Sequence, residues 1–335
     1  MDIDFVITWV DGNDKEWQQA RAEYEVPANS DAGGNRYRDW DNLQYWFRGV
    51  ERFAPWVRKI HFVTWGHIPH WLNTSHPKLR IVRHEDYIPA EYLPTFSSHP
   101  IELNLHRIEG LAEHFVYFND DRFIIRPISP SILFRDGLPC DFAGLRVIYP
   151  LDLFSQIEFN NIRVINNHFS KKEVIRRHRG KWLTPRYLLH HSDPLLRTLL
   201  LLPWKHFTGL IDKHIPVAYK KSTFEEVWRE AGEVLHETCG HRFRSGGDVS
   251  QWVFRYWRIC KGEFYPLTQS QGKNYKVSSN LKRNQRAYRA ITEQKHPMIC
   301  VNDELSDPSL FAGIKEELNR CFARVLPDKS SYEKS

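Results

Sequence analysis

Four short runs of β-branched and aromatic residues, each closed by polar residues, constrain this 335-residue chain more than any other feature. They are Phe5–Val10, Ile60–Trp65, Leu79–Arg83 and Phe115–Phe118. After the first, Leu43, Trp46, Phe47, Val50 and Phe53 recur at helical spacing. Strands alternating with helices predict a largely parallel α/β sheet of the nucleotide-binding type. Ligands of such sheets sit beyond the carboxyl ends of the strands, so the residues that close each run are the first place to look for chemistry.

Two of these ends are acidic. Asp11-Gly12-Asn13-Asp14 follows Val10, and Asn119-Asp120-Asp121 follows Phe118. The first is built of turn formers. Its position at a strand end favours a second reading, in which Gly12 lets the backbone approach a nucleotide and Asp11 accepts from base or ribose. The second group would lose solvation at the end of a buried strand unless something pairs with it. An exposed acidic turn is the plain alternative; a divalent cation bridging a diphosphate is the functional one, since hard oxygen ligands suit Mg2+ or Mn2+.

Between them, Ser97-Ser98-His99-Pro100 suits a helix start. Continued through Ala112, that helix turns Ile101, Leu105 and Ile108 to the core and puts Glu102, His106 and Glu109 on the opposite face, either solvated or lining a pocket. Further on, residues 176–212 are basic and rich in tryptophan. Their apolar cluster Leu195–Trp204 reads as a buried helix, with a surface for membrane or lipid-linked acceptor as the other reading. His214 precedes Pro216, and Arg242, Arg244 and Asp248 surround two glycines, a pattern suited to a phosphate clamp. Cys300-Val301-Asn302-Asp303-Glu304 again sets acids after an apolar run.

Composition narrows the class without naming a ligand. Hydrophobic residues at 41% and aromatics at 14% supply a large core, which excludes extended disorder. The net charge of +6 suits nucleic acid, an anionic surface or a phosphorylated substrate alike. The first residues carry acids where a secretory signal carries bases, and their apolar run is too short to span a bilayer, so the chain is expected in the cytoplasm. Five scattered cysteines without a CxxC pair read as reduced structural thiols.

In order along the chain, these stretches resemble the four conserved regions of the Stealth proteins, bacterial capsular and exopolysaccharide phosphotransferases related to the animal N-acetylglucosamine-1-phosphotransferase. Phe5–Trp17 is similar to the first region. Arg36–Pro130 is similar to the second, with Arg38-Asp39, Phe53–Ile60, Ile101-Glu102, His106-Arg107-Ile108 and Tyr117–Asp121. His214–Asp248 is similar to the third and Cys300–Asp303 to the fourth. The segment Asp41-Asn42 departs from the family's pattern, and the large insertions of the animal enzymes are absent.

The resemblance implies a GT-A-like sheet flanked by helices with a largely helical inserted subdomain. The expected divisions are 1–150 for the nucleotide-sugar-binding core, 151–235 for the insertion, 236–325 for completion of the core, and 326–335 for a flexible tail. It implies a catalytic set of His214, Glu102, Arg244 and Asp121, and donor contacts from Asp11, Gly12, Arg38, Asp39, Arg107, Arg242 and Asp248. A cation, Mg2+ or Mn2+, falls to Asp121, Asp303, Asn302 and Asp120. The implied partners are a UDP-sugar donor and a polysaccharide acceptor, with no nucleic acid; a lipid link on the acceptor, a peripheral membrane contact and the oligomeric state are left open. The expected reaction moves a hexose-1-phosphate to a polysaccharide hydroxyl in the bacterial cytoplasm and releases UMP. A glycosyltransferase releasing the diphosphate and a noncatalytic polysaccharide-binding protein are the competing readings.

Overall fold

The computed structural model describes residues 1–24, 37–149, 151–189, 193–212, 214–267 and 271–334. Arg36, which opens the second resembling region, lies outside them, as do 190–192 of the basic stretch and residue 335 of the tail. The strands are β1 (Ile3–Thr8), β2 (Ile60–Thr64), β3 (Leu79–Arg83), β4 (His114–Asn119), β5 (Arg122–Ile124), β6 (Phe134–Arg135), β7 (Leu138–Asp141), β8 (Val217–Lys220), β9 (Tyr265–Pro266), β10 (Gly272–Ser278) and β11 (Met298–Glu304). The helices are α1 (Lys15–Ala22), α2 (Leu43–Phe53), α3 (Ser98–Leu103), α4 (Leu153–His168), α5 (Lys171–Arg177), α6 (Arg179–Trp182), α7 (Pro194–Leu201), α8 (Lys221–Glu230), α9 (Gly232–Gly240), α10 (Trp252–Cys260), α11 (Leu281–Thr292) and α12 (Phe311–Val325).

The central sheet runs β3-β2-β1-β4-β8, parallel except for β8 at its edge. Both faces are covered, which is why these strands read as unbroken apolar runs. Phe5, Ile7, Phe62 and Phe118 meet Trp46, Phe47 and Val50 of α2 on one face. On the other face Val6, Val63, Phe115 and Tyr117 pack with Phe224 of α8 and Phe254 of α10. The fold class is therefore the expected α/β sheet flanked by helices. The first two strands end at Thr8 and Thr64, two residues and one residue before the apolar runs do, leaving Trp9, Val10 and Trp65 on the rim above the sheet.

A second sheet, β10-β11-β5, abuts the first. Only Asp120 and Asp121 separate β4 from β5, so the chain changes sheets within the acidic turn. Helices continue from α4 to α10, and β8, in their midst, joins the central sheet.

Three expectations change. The helix expected through Ala112 stops at Leu103 and passes into a tight turn over Leu105–Arg107. The Asn104 amide donates to the Pro100 carbonyl at 2.8 Å, taking an acceptor that the helical ladder would use. Glu102 and His106 are consequently buried, and Glu109 alone reaches solvent, where it pairs with Arg80. The cluster expected to be a buried helix forms α7, on which only Pro194 and Thr198 are fully buried; Leu196, Leu199 and Leu200 face outward. The expected flexible tail is docked: Tyr332 is 4% exposed beside Phe47, and Arg48 grips Glu333 through two nitrogens at 2.8 and 2.7 Å.

Asp141, at the end of β7 and 1% exposed, holds Arg255 through two contacts of 2.8 and 2.9 Å and Arg258 at 2.7 Å; both arginines lie on α10 and are buried. Removing the shared carboxylate strands two cations in the interior. Asp141→Ala is expected to cost about 3–5 kcal/mol in denaturant unfolding. A loss below about 1 kcal/mol, the scale of a surface pair, would mean the two arginines are not sustained by Asp141.

Candidate functional site

The parallel register sets Thr8 of β1 opposite Asn119 of β4, and β11 lies across the turn that follows, with the Val301 amide donating to the Asp121 carbonyl at 2.8 Å. Strand ends from two sheets thus converge on one cavity of about 720 Å3. Its wall includes Arg38, Asp39, Glu102, Asn119, Asp120, Asp121, His214, Arg244, Asn302 and Asp303. A narrower pocket of about 150 Å3 adjoins it, shares Trp9, Ser98, Asn119, Asp120 and Arg244, and is lined further in by Trp17, Tyr37 and Phe96.

The acidic turn carries an unbalanced set of polar atoms. Asp121 Oδ2 accepts from the Cys300 thiol at 3.1 Å, but Asp121 Oδ1 and Asn119 Oδ1 are buried without a hydrogen-bond donor among the described residues. Burial, then the charges of Asp121 and Asp39, push the Asp120 carboxyl up to about 7. Asp39 is also raised, first by burial and then by Asp41 and Asp11, against the Asp41 amide that lowers it. Among the described residues no three His, Cys, Asp or Glu side chains converge as a ready-made metal cluster. The orphaned oxygens and the crowded carboxylates nevertheless fit a divalent cation, since Mg2+ is commonly bound by one or two carboxylates and completed by substrate phosphates.

Arg122 supplies the opposite charge. It is 3% exposed, opens onto the cavity, and its Nε and Nη1 lack hydrogen-bond partners. Asp121 Oδ1 stands 3.7 Å from its Nε, beyond hydrogen-bond reach, and the guanidinium lies 5.8 Å over the Tyr117 ring. A permanently charged group with idle donors is suited to grip phosphate oxygens. Sequence reasoning passed over Arg122, although its place directly after the acidic triplet at a strand end was the available signal.

The remaining wall is held in place by neighbours. Glu102 Oε1 accepts from the Tyr117 hydroxyl at 2.9 Å, and that hydroxyl meets Thr8 Oγ1 at 3.1 Å. Asp303 pairs with Arg38 at 3.1 Å and takes the Leu305 amide on its other oxygen, so both of its oxygens are engaged within the protein. Arg244 donates to Ser98 Oγ at 2.9 Å and borders both cavities. Burial, then the charge of Arg122, lowers the His214 pKa and keeps the ring neutral near pH 7. His99, also on the wall and not singled out in the sequence, presents Nδ1 to Asp248 at 2.8 Å.

Five expected donor contacts lie elsewhere. Arg107 is on the outer surface, with its guanidinium 5.0 Å over the Trp228 ring. Arg242 lies 4.7 Å over Tyr24. Asp248 is fully buried and acts inside the protein, joining His99, His241 and the Ser245 amide. Asp11 closes its own turn by accepting from Asn13 at 2.9 Å, while its amide donates to His67. Gly12 is explained by packing, because a Cβ there would meet the Tyr37 carbonyl at 2.2 Å.

Comparison with known proteins places the chain among its relatives. Family models described as Stealth protein CR1, conserved region 1, CR2, conserved region 2, and CR3, conserved region 3, match residues 1–25, 36–140 and 213–256. Capsular polysaccharide phosphotransferase WcwK of Streptococcus pneumoniae is 39% identical, covering 99% of this chain and 98% of its own. Exopolysaccharide phosphotransferase cps2G of Lactiplantibacillus plantarum is 39% identical over 99% of this chain and 96% of its own. Receptor polysaccharide phosphotransferase WefC of Streptococcus gordonii is 36% identical over 99% and 98%. Among solved structures, galactosyltransferase LgtC with donor and acceptor sugar analogs aligns at 11% identity over 95% of this chain and 96% of that one. The TM-score of that alignment is 0.35.

The geometry makes Arg122 the separable anion contact. Arg122→Met is expected to weaken inorganic diphosphate binding, measured by calorimetry with magnesium present, by roughly tenfold or more, the scale of charged hydrogen bonds. Arg107→Met, on the outer surface, is expected to bind as the parent does. Equal affinity in both variants would remove Arg122 from the anion site.

Proposed function

The chain belongs to the Stealth family of sugar-phosphate transferases, and from that premise we propose that it moves a hexose-1-phosphate from a UDP-sugar to a hydroxyl of a capsular or other cell-surface polysaccharide. The observation that carries the reading is the juxtaposition of the buried Arg122 guanidinium with the donor-less oxygens of Asn119 and Asp121 in a single cavity. A diphosphate with its cation would satisfy both.

The aromatic side pocket of Trp17, Tyr37 and Phe96 suits the nucleobase, and Arg244, which borders both spaces, suits the phosphates between them. Glu102, fixed by Tyr117, is then available to hydroxyls of the transferred sugar. Asp303 aims Arg38, and the cation falls to the oxygens of Asp39, Asp120, Asp121 and Asn119, with Asn302 and Asp303 on the same wall. A Mg2+ or Mn2+ held there would supply positive charge at the departing nucleotide phosphate.

In the proposed step the acceptor oxygen forms a bond to the sugar-bearing phosphorus, and the bond from that phosphorus to the bridging oxygen of the diphosphate breaks. The bridging oxygen leaves with UMP, and the acceptor proton passes to His214. Arg122 and Arg244 meet the charge that builds on the nonbridging oxygens. We assign the reaction to the bacterial cytoplasm, with a lipid-linked acceptor at the inner face of the membrane.

Two measurements follow. Incubation with a panel of UDP-sugars and acceptor is expected to release UMP in step with product; release of UDP would make the enzyme a glycosyltransferase instead. A neutral base loses function when it gains a proton, and the His214 pKa lies below the ordinary value of about 6.5. Transfer should therefore hold through pH 7 and fall only as pH drops through that lowered value. His214→Gln should bind donor normally and transfer at least roughly a hundredfold more slowly, within the range for general-base loss. An active glutamine variant with the parent's pH profile would shift the role to His99.

A further inference from the structure

Helix α7 presents leucines to solvent. Leu196, Leu199 and Leu200, at i, i+3 and i+4, share one side of it and are 57%, 48% and 65% exposed. The turn that follows adds Leu202 at 37% and Trp204 at 55%. An exposed large apolar patch is the informative departure from ordinary burial.

This orientation is fixed by polar anchors on the other side of the helix. Thr198 Oγ1 donates to the Pro194 carbonyl at 2.7 Å and accepts from the Leu145 amide at 3.2 Å. The Lys171 ammonium reaches the carbonyls of Leu201 and Leu202 at 2.8 and 3.3 Å. Turning the leucines inward would break these contacts, so their outward display is built into the packing.

The exposed charge along this stretch of the chain points to the occupant. Arg197 lies on the exposed side of α7 and Lys205 follows Trp204. From 172 to 206 the exposed cations are Lys172, Arg176, Arg177, Arg179, Arg186, Arg197 and Lys205, against only Glu173 and Asp193 among exposed acids of the described residues. Leucine and tryptophan with Arg197 and Lys205 beside them in the chain match the interfacial layer of a bilayer, where acyl chains take the apolar groups and anionic headgroups the cations. A self-association face would instead bring this excess of positive charge against itself.

We propose that α7 and the turn through His206 seat the protein on a bilayer surface rich in anionic phospholipid. The proposal rests on the leucine stripe and its charge, so it stands or falls separately from the transfer chemistry.

Flotation of the full chain with phosphatidylcholine vesicles, with and without phosphatidylglycerol, tests it. The protein should float only with the anionic vesicles, and added salt should release it. The triple variant Leu196→Ser, Leu199→Ser, Leu200→Ser should lose at least roughly tenfold in partition, and Trp204→Ser alone should weaken it measurably. Arg197→Gln and Lys205→Gln should each lose roughly fivefold. All variants should bind UDP as the parent does, which reports an intact fold. The proposal is overturned if the parent does not float with anionic vesicles at low salt, or if the triple and Trp204 variants float undiminished. It is equally overturned if sedimentation finds a dimer dissolved by the leucine substitutions while no vesicle binding occurs.

Discussion

The structure turns on a concentration of unsatisfied charge at the carboxyl end of β4. Asn119, Asp120 and Asp121 end and follow a strand buried on both faces, and Arg122, 3% exposed, comes next. Desolvated groups of this kind are costly unless matched. The protein matches them only in part, through the Cys300 thiol and a loose approach of Arg122 to Asp121. The remainder, Asp121 Oδ1, Asn119 Oδ1 and two Arg122 nitrogens, is what the proposed diphosphate and cation would match.

The backbone makes this arrangement possible. Parallel pairing of β1 with β4 brings Thr8 level with Asn119, while antiparallel pairing of β11 with β5 brings Cys300 level with Arg122. The acidic turn is therefore clamped between two sheets at the cavity wall. Tyr117, donating to Glu102, and Arg38, paired with Asp303, extend the same rigid frame around the cavity. Asp248 extends it on the far side by fixing His99 and the Ser245 loop.

Much of this was legible in the sequence, for a physical reason. Strands covered on both faces are written as unbroken apolar runs, so the residues that close them are easy to find, and Asp120 and Asp121 stood out; Glu102 and His214 close no such run and came forward through the resemblance. Side chains whose roles depend on distant packing were not legible. Arg107 and Arg242 have the same chemistry as Arg122 and Arg244, yet they stack on Trp228 and Tyr24 away from the cavity. Asp248 reads as part of a phosphate clamp and is instead a buried hub joining His99, His241 and the Ser245 amide. The leucine-rich run at α7 offers too little polar contrast to show which side faces inward, and only the bonds of Thr198 and Lys171 decide it. The tail read as flexible because the grip of Arg48 on Glu333 spans almost the whole chain.

If the orphaned oxygens and Arg122 are two halves of one site, cation and diphosphate must bind cooperatively, and by equal factors in either order. Calorimetric titration of UDP with and without Mn2+, and of Mn2+ with and without UDP, measures this coupling. The account predicts that each ligand tightens the other by roughly tenfold or more, within the usual range of coupling between sites. UDP affinity that is the same in chelator as in Mn2+ would contradict it.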